Sequence, residues 1–168
     1  MPVASEQAGQ AFGAYTSGTV TGVTTIHDRR FAELDTSTLY SIMQLRAVVF
    51  VVEQDIVYTD PDGRDSEDGT RHVFIDEPAG GITTYLRLLA EADGSHRIGR
   101  VVTDQAHRGK GLAGKLIEHV HMSTPGRITL HAQIHLESWY RSLGYERTGP
   151  DFDDEGLPHV PMERLPGG

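Results

Sequence analysis

The chain has 168 residues, 38% of them hydrophobic, no cysteine and a formal net charge of −9. That length suits one sizeable core, and the longest apolar run, residues 47–52 between Arg46 and Glu53, is far short of the roughly 18 residues a membrane-spanning helix needs. Without cysteine there are no disulfides, thiolate nucleophiles or cysteine zinc sites, and the acidic balance argues against nucleic acid as a partner. No basic segment followed by an apolar core opens the chain, so the expected location is the cytoplasm, with no membrane partner.

Residues 1–18, rich in Ala, Gly, Ser and Gln without an apolar period, read as a flexible tail. Residues 19–168 read as one domain. Thr19 to Ile26 predicts a first strand. Asp35 or Thr36 is a helix N-cap, and Leu39, Ile42, Met43, Val49 and Phe50 follow at helical spacing, with Leu45, Val48 and Val52 widening the face, to an end near Val52. A loop follows from Glu53 to Arg71, with its clearest turn at Asp60-Pro61-Asp62-Gly63. Strands are expected at His72–Asp76, Ile82–Leu89 and Arg97–Thr103, where Gly99 suggests a bulge. Gly111 to Met122 is helical, with Leu112, Leu116, Ile117 and Val120 on one face. Arg127–His131 is a strand. Leu136, Trp139, Tyr140 and Leu143 carry a helix that Gly144 ends. Strands at Tyr145–Thr148 and His159–Glu163 complete a mixed α/β sheet covered by helices.

Two acidic runs stand out: Asp60, Asp62, Asp65, Glu67 and Asp68, then Asp151, Asp153, Asp154 and Glu155. They read either as solvated loops or as a negative field that draws in a cationic amine.

The stretch from Thr103 through Arg108-Gly109-Lys110-Gly111-Leu112-Ala113-Gly114 joins a strand to a helix by a basic, glycine-rich turn. The first amides of a helix have no internal partners and carry partial positive charge. Gly109 and Gly111 admit close approach, and Arg108 and Lys110 add charge, so the loop predicts a phosphate or pyrophosphate site. Lys115 is followed by Leu116, which removes the hydroxyl a Walker loop needs. Gly109, Gly111 and Gly114 match the dinucleotide pattern G-x-G-x-x-G, but no opening βαβ unit surrounds them. A nicotinamide-dependent oxidoreductase stays as an alternative on that match.

Arg108-x-x-Gly111-x-Ala113 resembles the R-x-x-G-x-[GA] signature of the GNAT superfamily of N-acetyltransferases. The stretch from Gln133 to Tyr145, with Tyr140 and Leu143-Gly144-Tyr145, resembles that superfamily's later motif; Gln133 stands where members often carry Asn. Within the superfamily the chain is most similar to the ElaA-type subgroup. The residues that carry this likeness include Leu45-Arg46, residues 49–54, Asp60-x-Asp62-Gly63-x-Asp65, Arg71-His72, Tyr85-Leu86-Arg87, residues 99–102, Ala132-Gln133-x-His135-Leu136 and Pro158-His159, spread over roughly residues 23–164.

The resemblance implies a central, mostly antiparallel sheet with splayed strands. It implies acetyl-CoA as donor, with its pyrophosphate on Arg108, Gly109, Lys110, Gly111, Leu112, Ala113 and Gly114. Its pantetheine would pair with Val101, Val102 and Thr103, beside Gln133. It implies Tyr140 as the general acid for the leaving thiolate, and a small primary amine as acceptor in a direct ternary complex. Homodimers are common in the superfamily.

Amine attack also needs a proton acceptor, and a donor near Val102 for the developing oxyanion. Glu53 and His72 are favoured as the base, with His135, Glu137 and His159 as further candidates. Nine histidines raise the question of a metal, but His131 and His135 lack the intervening Glu of H-E-x-x-H and His119 and His121 diverge on a helix, so no metal is expected. A non-catalytic acyl-CoA sensor on the same fold is the alternative to an enzyme.

Overall fold

The structure, a computed structural model, describes residues 24–78 and 80–167. The expected tail at 1–18 and residues 19–23 of the expected first strand lie outside the described residues. The strands are β1 (Ile26–Arg30), β2 (Arg71–Asp76), β3 (Ile82–Ala90), β4 (His96–Thr103), β5 (Ile128–Gln133), β6 (Glu146–Arg147), β7 (Phe152–Asp154) and β8 (Leu157–Arg164). The helices are α1 (Thr36–Arg46), α2 (Leu112–Ser123) and α3 (Glu137–Ser142). One sheet runs β1-β2-β3-β4-β5-β8-β6, with β7 also paired to β8. Every pairing is antiparallel except β4 with β5. This is the mixed α/β architecture that the sequence predicts.

The two faces of the sheet bury different residues. On one face Val73, Leu86, Leu88, Ile98, Leu130 and Met162 pack under Leu116, Ile117 and Val120 of α2 and Tyr140 of α3. On the other, Phe74, Tyr85 and Val102 pack under Ile42, Leu45 and Val49 of α1. Strict alternation in β2 and β3 assigns neighbours to opposite faces. The α1 side covers β2 to β4 and leaves β5 and β8 open, and that gap becomes the site.

The N-cap of α1 is Asp35, whose carboxylate accepts from the Thr38 amide at 2.8 Å and the Thr38 hydroxyl at 3.0 Å. The helix then widens into a π-helical stretch, Ala47–Glu53, marked by Gln54 N–H to Val49 O and Ile56 N–H to Val51 O, both 3.2 Å. Val48 and Val52, expected on the buried face, are 48% and 74% exposed. The wider turn shifts the phase of the apolar stripe, so Val49 stays in and Val52 swings out.

Among the described residues the first strand spans Ile26–Arg30 and so runs past the expected end at Ile26. It is an edge strand whose polar residues are fixed by charge rather than apolar alternation. Asp28 pairs with Arg71 and with His119, and His27 with Asp76. The strand β7 falls inside the second acidic run, where a solvated loop is expected. Glu155 and Gly156, at φ 53° and 83°, connect it to β8 as a two-residue turn of the primed type.

Candidate active site

Pairing between β4 and β5 stops after Ile98 and Leu130. Beyond that point β4 continues to Thr103 and β5 to Gln133, and the two strands diverge around a cleft of about 870 Å³. A volume of that size takes a cofactor-sized ligand. On its other side β4 is bulged against β3: Arg87 pairs with Gly99 and Tyr85 with Val102, so three steps on β4 meet two on β3. The distortion sits on Arg100, whose φ is +54°, and not on Gly99, where a Cβ would meet nothing. The extra residue puts both Gly99 and Val102 on the α1 face and turns Ile98 and Val101 to the α2 core.

Past the end of β4, Asp104 caps a short turn by accepting from the Ala106 amide and pairs with His107, both at 3.0 Å. Gly109 and Gly111 follow with φ +74° and +72°, and Gly111 caps α2. These left-handed positions need glycine and turn the backbone so that the first amides of α2 face out of the loop. Gly114 differs: it needs no positive φ and a methyl there would meet nothing. In a dinucleotide fingerprint the third glycine serves close helix–strand packing, and no such packing exists here. Arg108 is not the free cation expected. It donates to both carboxylate oxygens of Glu53 at 2.6 and 2.8 Å and to Thr103 O at 3.0 Å. Lys110 has no ion pair among the described residues.

The first acidic run is neither a solvated loop nor a bare negative field. Arg46, fully buried, donates to Asp60 at 2.8 Å and Asp65 at 2.7 Å. Arg87 grips Asp62 with two bonds, 2.7 and 2.6 Å, and reaches Asp65 at 3.0 Å. Arg100, aimed by the bulge, donates to Asp60 at 2.7 Å. Three arginines from α1, β3 and β4 thus neutralise three aspartates and fix the loop against the cleft wall. The hydrogen bonds from Arg87 hold the Asp62 carboxyl well below the usual carboxylate range despite burial.

Tyr140 lines the cleft and is 4% exposed. Trp139 and Tyr145 meet its ring edge-on at 4.7 and 5.9 Å. Burial pushes its phenol well above the ordinary tyrosine range, so it stays protonated at neutral pH. Its hydroxyl bonds to no protein group among the described residues. Gln133 also lines the cleft and donates to Gln54 at 3.5 Å, linking β5 to the end of α1. Val101, Val102, Thr103, Arg108 and Ala113 line the cleft with them.

The two favoured bases fare differently. Glu53 lines the cleft, but the Arg108 hydrogen bonds hold its carboxyl below the usual range, which makes it a poorer proton acceptor. His72 does not line the cleft and is fully buried. Its Nε2 lies 3.0 Å from the Asp65 carbonyl, which can only accept, so Nε2 carries the proton; Nδ1 then accepts from the Tyr85 hydroxyl at 2.8 Å. Burial lowers its pKa, and no lone pair is left for a substrate. Glu137 is tied to Arg141 at 2.7 Å and to Arg147 at 3.5 Å, away from the cleft. His135 and His159 line the cleft, and so does His131, which enters the sequence reading only as a metal candidate.

Sequence reasoning gave Arg87 and Arg100 no role in the site and saw no hairpin in the second acidic run, whose Asp154 and Glu155 line the cleft with both arginines. The hairpin left a local signal, Glu155-Gly156 between Phe152 and Leu157. The arginines come from separate elements that no local pattern joins.

A protein-family model for the acetyltransferase (GNAT) domain matches residues 51–166. The chain belongs to the GNAT acetyltransferase family. This acetyltransferase is similar to a UPF0039 protein of Mycobacterium tuberculosis, 41% identical over 138 residues that span 79% of this chain and 87% of that protein. It is similar to the ElaA protein of Escherichia coli, 35% identical over 147 residues, or 82% of this chain and 94% of ElaA. An acyl-CoA N-acyltransferase from Pseudomonas aeruginosa shares its fold with a TM-score of 0.80 and 33% identity, over 85% of this chain and 100% of that one. The family uses acetyl-CoA, and these relatives make the chain an acyltransferase of the ElaA type. Among the described residues no helix is long and apolar enough to cross a membrane, and no three His, Asp or Glu gather to hold a metal ion.

Proposed function

We propose that the protein transfers an acetyl group from acetyl-CoA directly to a small primary amine inside the cleft between β4 and β5. The observation that carries this reading is the end of β4–β5 pairing at Ile98 and Leu130. The free edge of β4 that results, Val101 to Thr103, runs straight into the Gly109–Gly114 turn. An extended pantetheine arm can pair along that edge as a strand would, and the amides from Gly109 to Gly114 are placed for its pyrophosphate.

Beyond Ile98 the edge of β4 that faces β5 has no strand partner, so backbone amides near Val102 lie along the wall where the thioester carbonyl would sit. One of them serves as the oxyanion donor. Tyr140, kept protonated by burial, gives its proton to the thiolate as the C–S bond breaks. Attack is direct: the transfer requires no acyl-enzyme, and the chain has no cysteine to form one. Arg108, held by Glu53, acts on the donor site by fixing the loop's shape rather than by offering a free charge.

The test is calorimetric titration with acetyl-CoA and, separately, NAD, followed by thiol release with a panel of primary amines. Binding of acetyl-CoA, no binding of NAD, and amine-dependent release that Tyr140→Phe depresses are the expected results. Binding without release for any amine would favour an acyl-CoA sensor, and binding of NAD alone would remove the reading.

A further inference from the structure

The cleft supplies an acid in Tyr140, but its proton acceptor is not either of the residues the sequence favours. We infer that His159 takes the proton from the attacking amine, with Nε2 as the accepting atom. The inference rests on the acetyl-transfer reading of this cleft.

The argument is one of tautomers. His159 lines the cleft on β8, and its Nδ1 lies 2.9 Å from the carbonyl oxygen of Leu157. A carbonyl accepts and never donates, so in the neutral ring Nδ1 carries the hydrogen and Nε2 carries the lone pair. Nε2 has no protein partner among the described residues. His72 shows the opposite case by the same reasoning, with both nitrogens consumed. The ring of His159 also packs near Phe152 of β7, 6.0 Å away and tilted by 31°, and Phe152 in turn meets His131 edge-on at 4.8 Å. A base whose second nitrogen is fixed by an acceptor and whose ring is packed is the arrangement that general-base histidines need.

Position supports the same residue. In the β5–β8 pairing His159 lies opposite Gln133, and His131 lies opposite Pro161. His131, Gln133 and His159 therefore share the sheet face that α1 leaves uncovered. The charged and titratable groups facing that patch are Arg97 from β4, His131 from β5, His135 from the turn after β5, and Asp154 and Glu155 from the hairpin.

The step balances. The amine nitrogen forms the N–C bond to the thioester carbonyl carbon and passes its proton to Nε2 of His159. The C–S bond breaks, and the thiolate takes a proton from Tyr140. The products are the amide and the free thiol, and His159 and Tyr140 return to neutrality by proton exchange with water.

Two measurements test this on the full chain. The first is histidine ¹⁵N NMR of the wild type above the histidine titration range. The His159 ring is expected as the Nδ1–H tautomer with a bare Nε2, and a protonated Nε2 would overturn the assignment. The second is the pH profile of amine-dependent thiol release for wild type and His159→Gln, with acetyl-CoA affinity measured alongside. The variant is expected to bind acetyl-CoA normally, to lose about 10²-fold or more in kcat, and to lose the acid limb of the wild-type profile. An unchanged kcat or acid limb would overturn the inference. A wild type that binds acetyl-CoA yet releases no thiol with any amine would instead overturn the transferase reading, and the base with it.

Discussion

Arg108 and Glu53 are joined by two parallel hydrogen bonds of 2.6 and 2.8 Å, which tie the glycine loop to the π-helical end of α1. The pair is partly exposed, so it is open to screening by salt. It gives each residue a role that its sequence context does not suggest: the arginine anchors, and the carboxylate is held ionised.

Substituting Glu53→Gln should raise the KM for acetyl-CoA a few-fold, because Arg108 loses its bidentate partner and the loop its brace. Added salt should act in the same direction on the wild type. The acid limb of the rate profile should stay in place, since the Arg108 bonds keep the Glu53 carboxyl below its usual range, far from neutrality. Steady-state kinetics across pH would check both; a lost acid limb would restore Glu53 as the base.

Substituting Tyr140→Phe removes a hydroxyl that no protein group uses, so stability should change little. The kcat should fall by about 10²-fold while acetyl-CoA affinity holds. Because burial raises the Tyr140 pKa, the wild-type rate should not decline near pH 10, where free tyrosine ionises. Urea unfolding beside the rate assay separates a folding defect from a chemical one.

Substituting Arg46→Met takes one buried partner from Asp60 and one from Asp65, leaving them Arg100 and Arg87, and should cost about 3 kcal/mol of stability. Arg46→Lys should also destabilise, since one ammonium cannot reproduce a fork that bonds two carboxylates. Denaturant unfolding of both variants measures this. A loss below about 1 kcal/mol for Met would mean that the network is not what fixes the acidic loop.

Acid stability carries two separate signatures. Burial pushes His121 down to about 4, with the Arg164 charge acting in the same direction. An unfolded histidine near 6.5 takes up its proton first, so stability should decline as pH falls between those values. His121→Gln should flatten that stretch. The second signature comes from carboxylates. The Arg87 bonds depress Asp62, and for Asp65 the Arg46 and Arg87 interactions outweigh the upward push of burial. Their stabilising contribution is complete above the unfolded value of about 3.9 and is lost as pH falls through the lower folded values. Urea midpoints from pH 7 to 2 would show both phases in the wild type and a weaker upper phase in the variant, where His72 and His131, also lowered by burial, still contribute.

The glycine loop separates conformation from space. Gly111→Ala must hold a left-handed φ of +72° and should cost about 1–2 kcal/mol, along with weaker acetyl-CoA binding. Gly114→Ala sits in open space at ordinary φ and should leave binding unchanged. Equal effects would mean that the loop reads glycine for another reason.

The elements with regular periodicity were legible in the sequence. The short strand runs of β2 and β3 between turn residues, the stripe Leu116, Ile117 and Val120 on α2, and the stop at Gly144 all announce local structure. Three things stayed hidden because they depend on contacts between distant residues. Gly99 points to the bulge in β4, but that its positive φ falls on Arg100 follows from register with β3. The π turn after Arg46 lies in a run of valines that reads as apolar on every side, so the sequence could not show that Val48 and Val52 face out. The pairing of Asp60, Asp62 and Asp65 with Arg46, Arg87 and Arg100 joins three elements, and in the sequence it shows only as a block of acid. At the site, the glycine loop before α2 was visible from its glycines and charges. The tautomers of His72 and His159 depend on which carbonyls they meet, and only the fold supplies those.

The most direct measurement of the central claim is mass analysis of the products after mixing the protein, acetyl-CoA bearing a deuterated acetyl group, and a panel of primary amines. The account predicts that at least one amine gains the labelled acetyl group in step with free thiol, and that this is depressed in Tyr140→Phe. Thiol release with no labelled amide for any amine, or no release at all from a protein that binds acetyl-CoA, would contradict it.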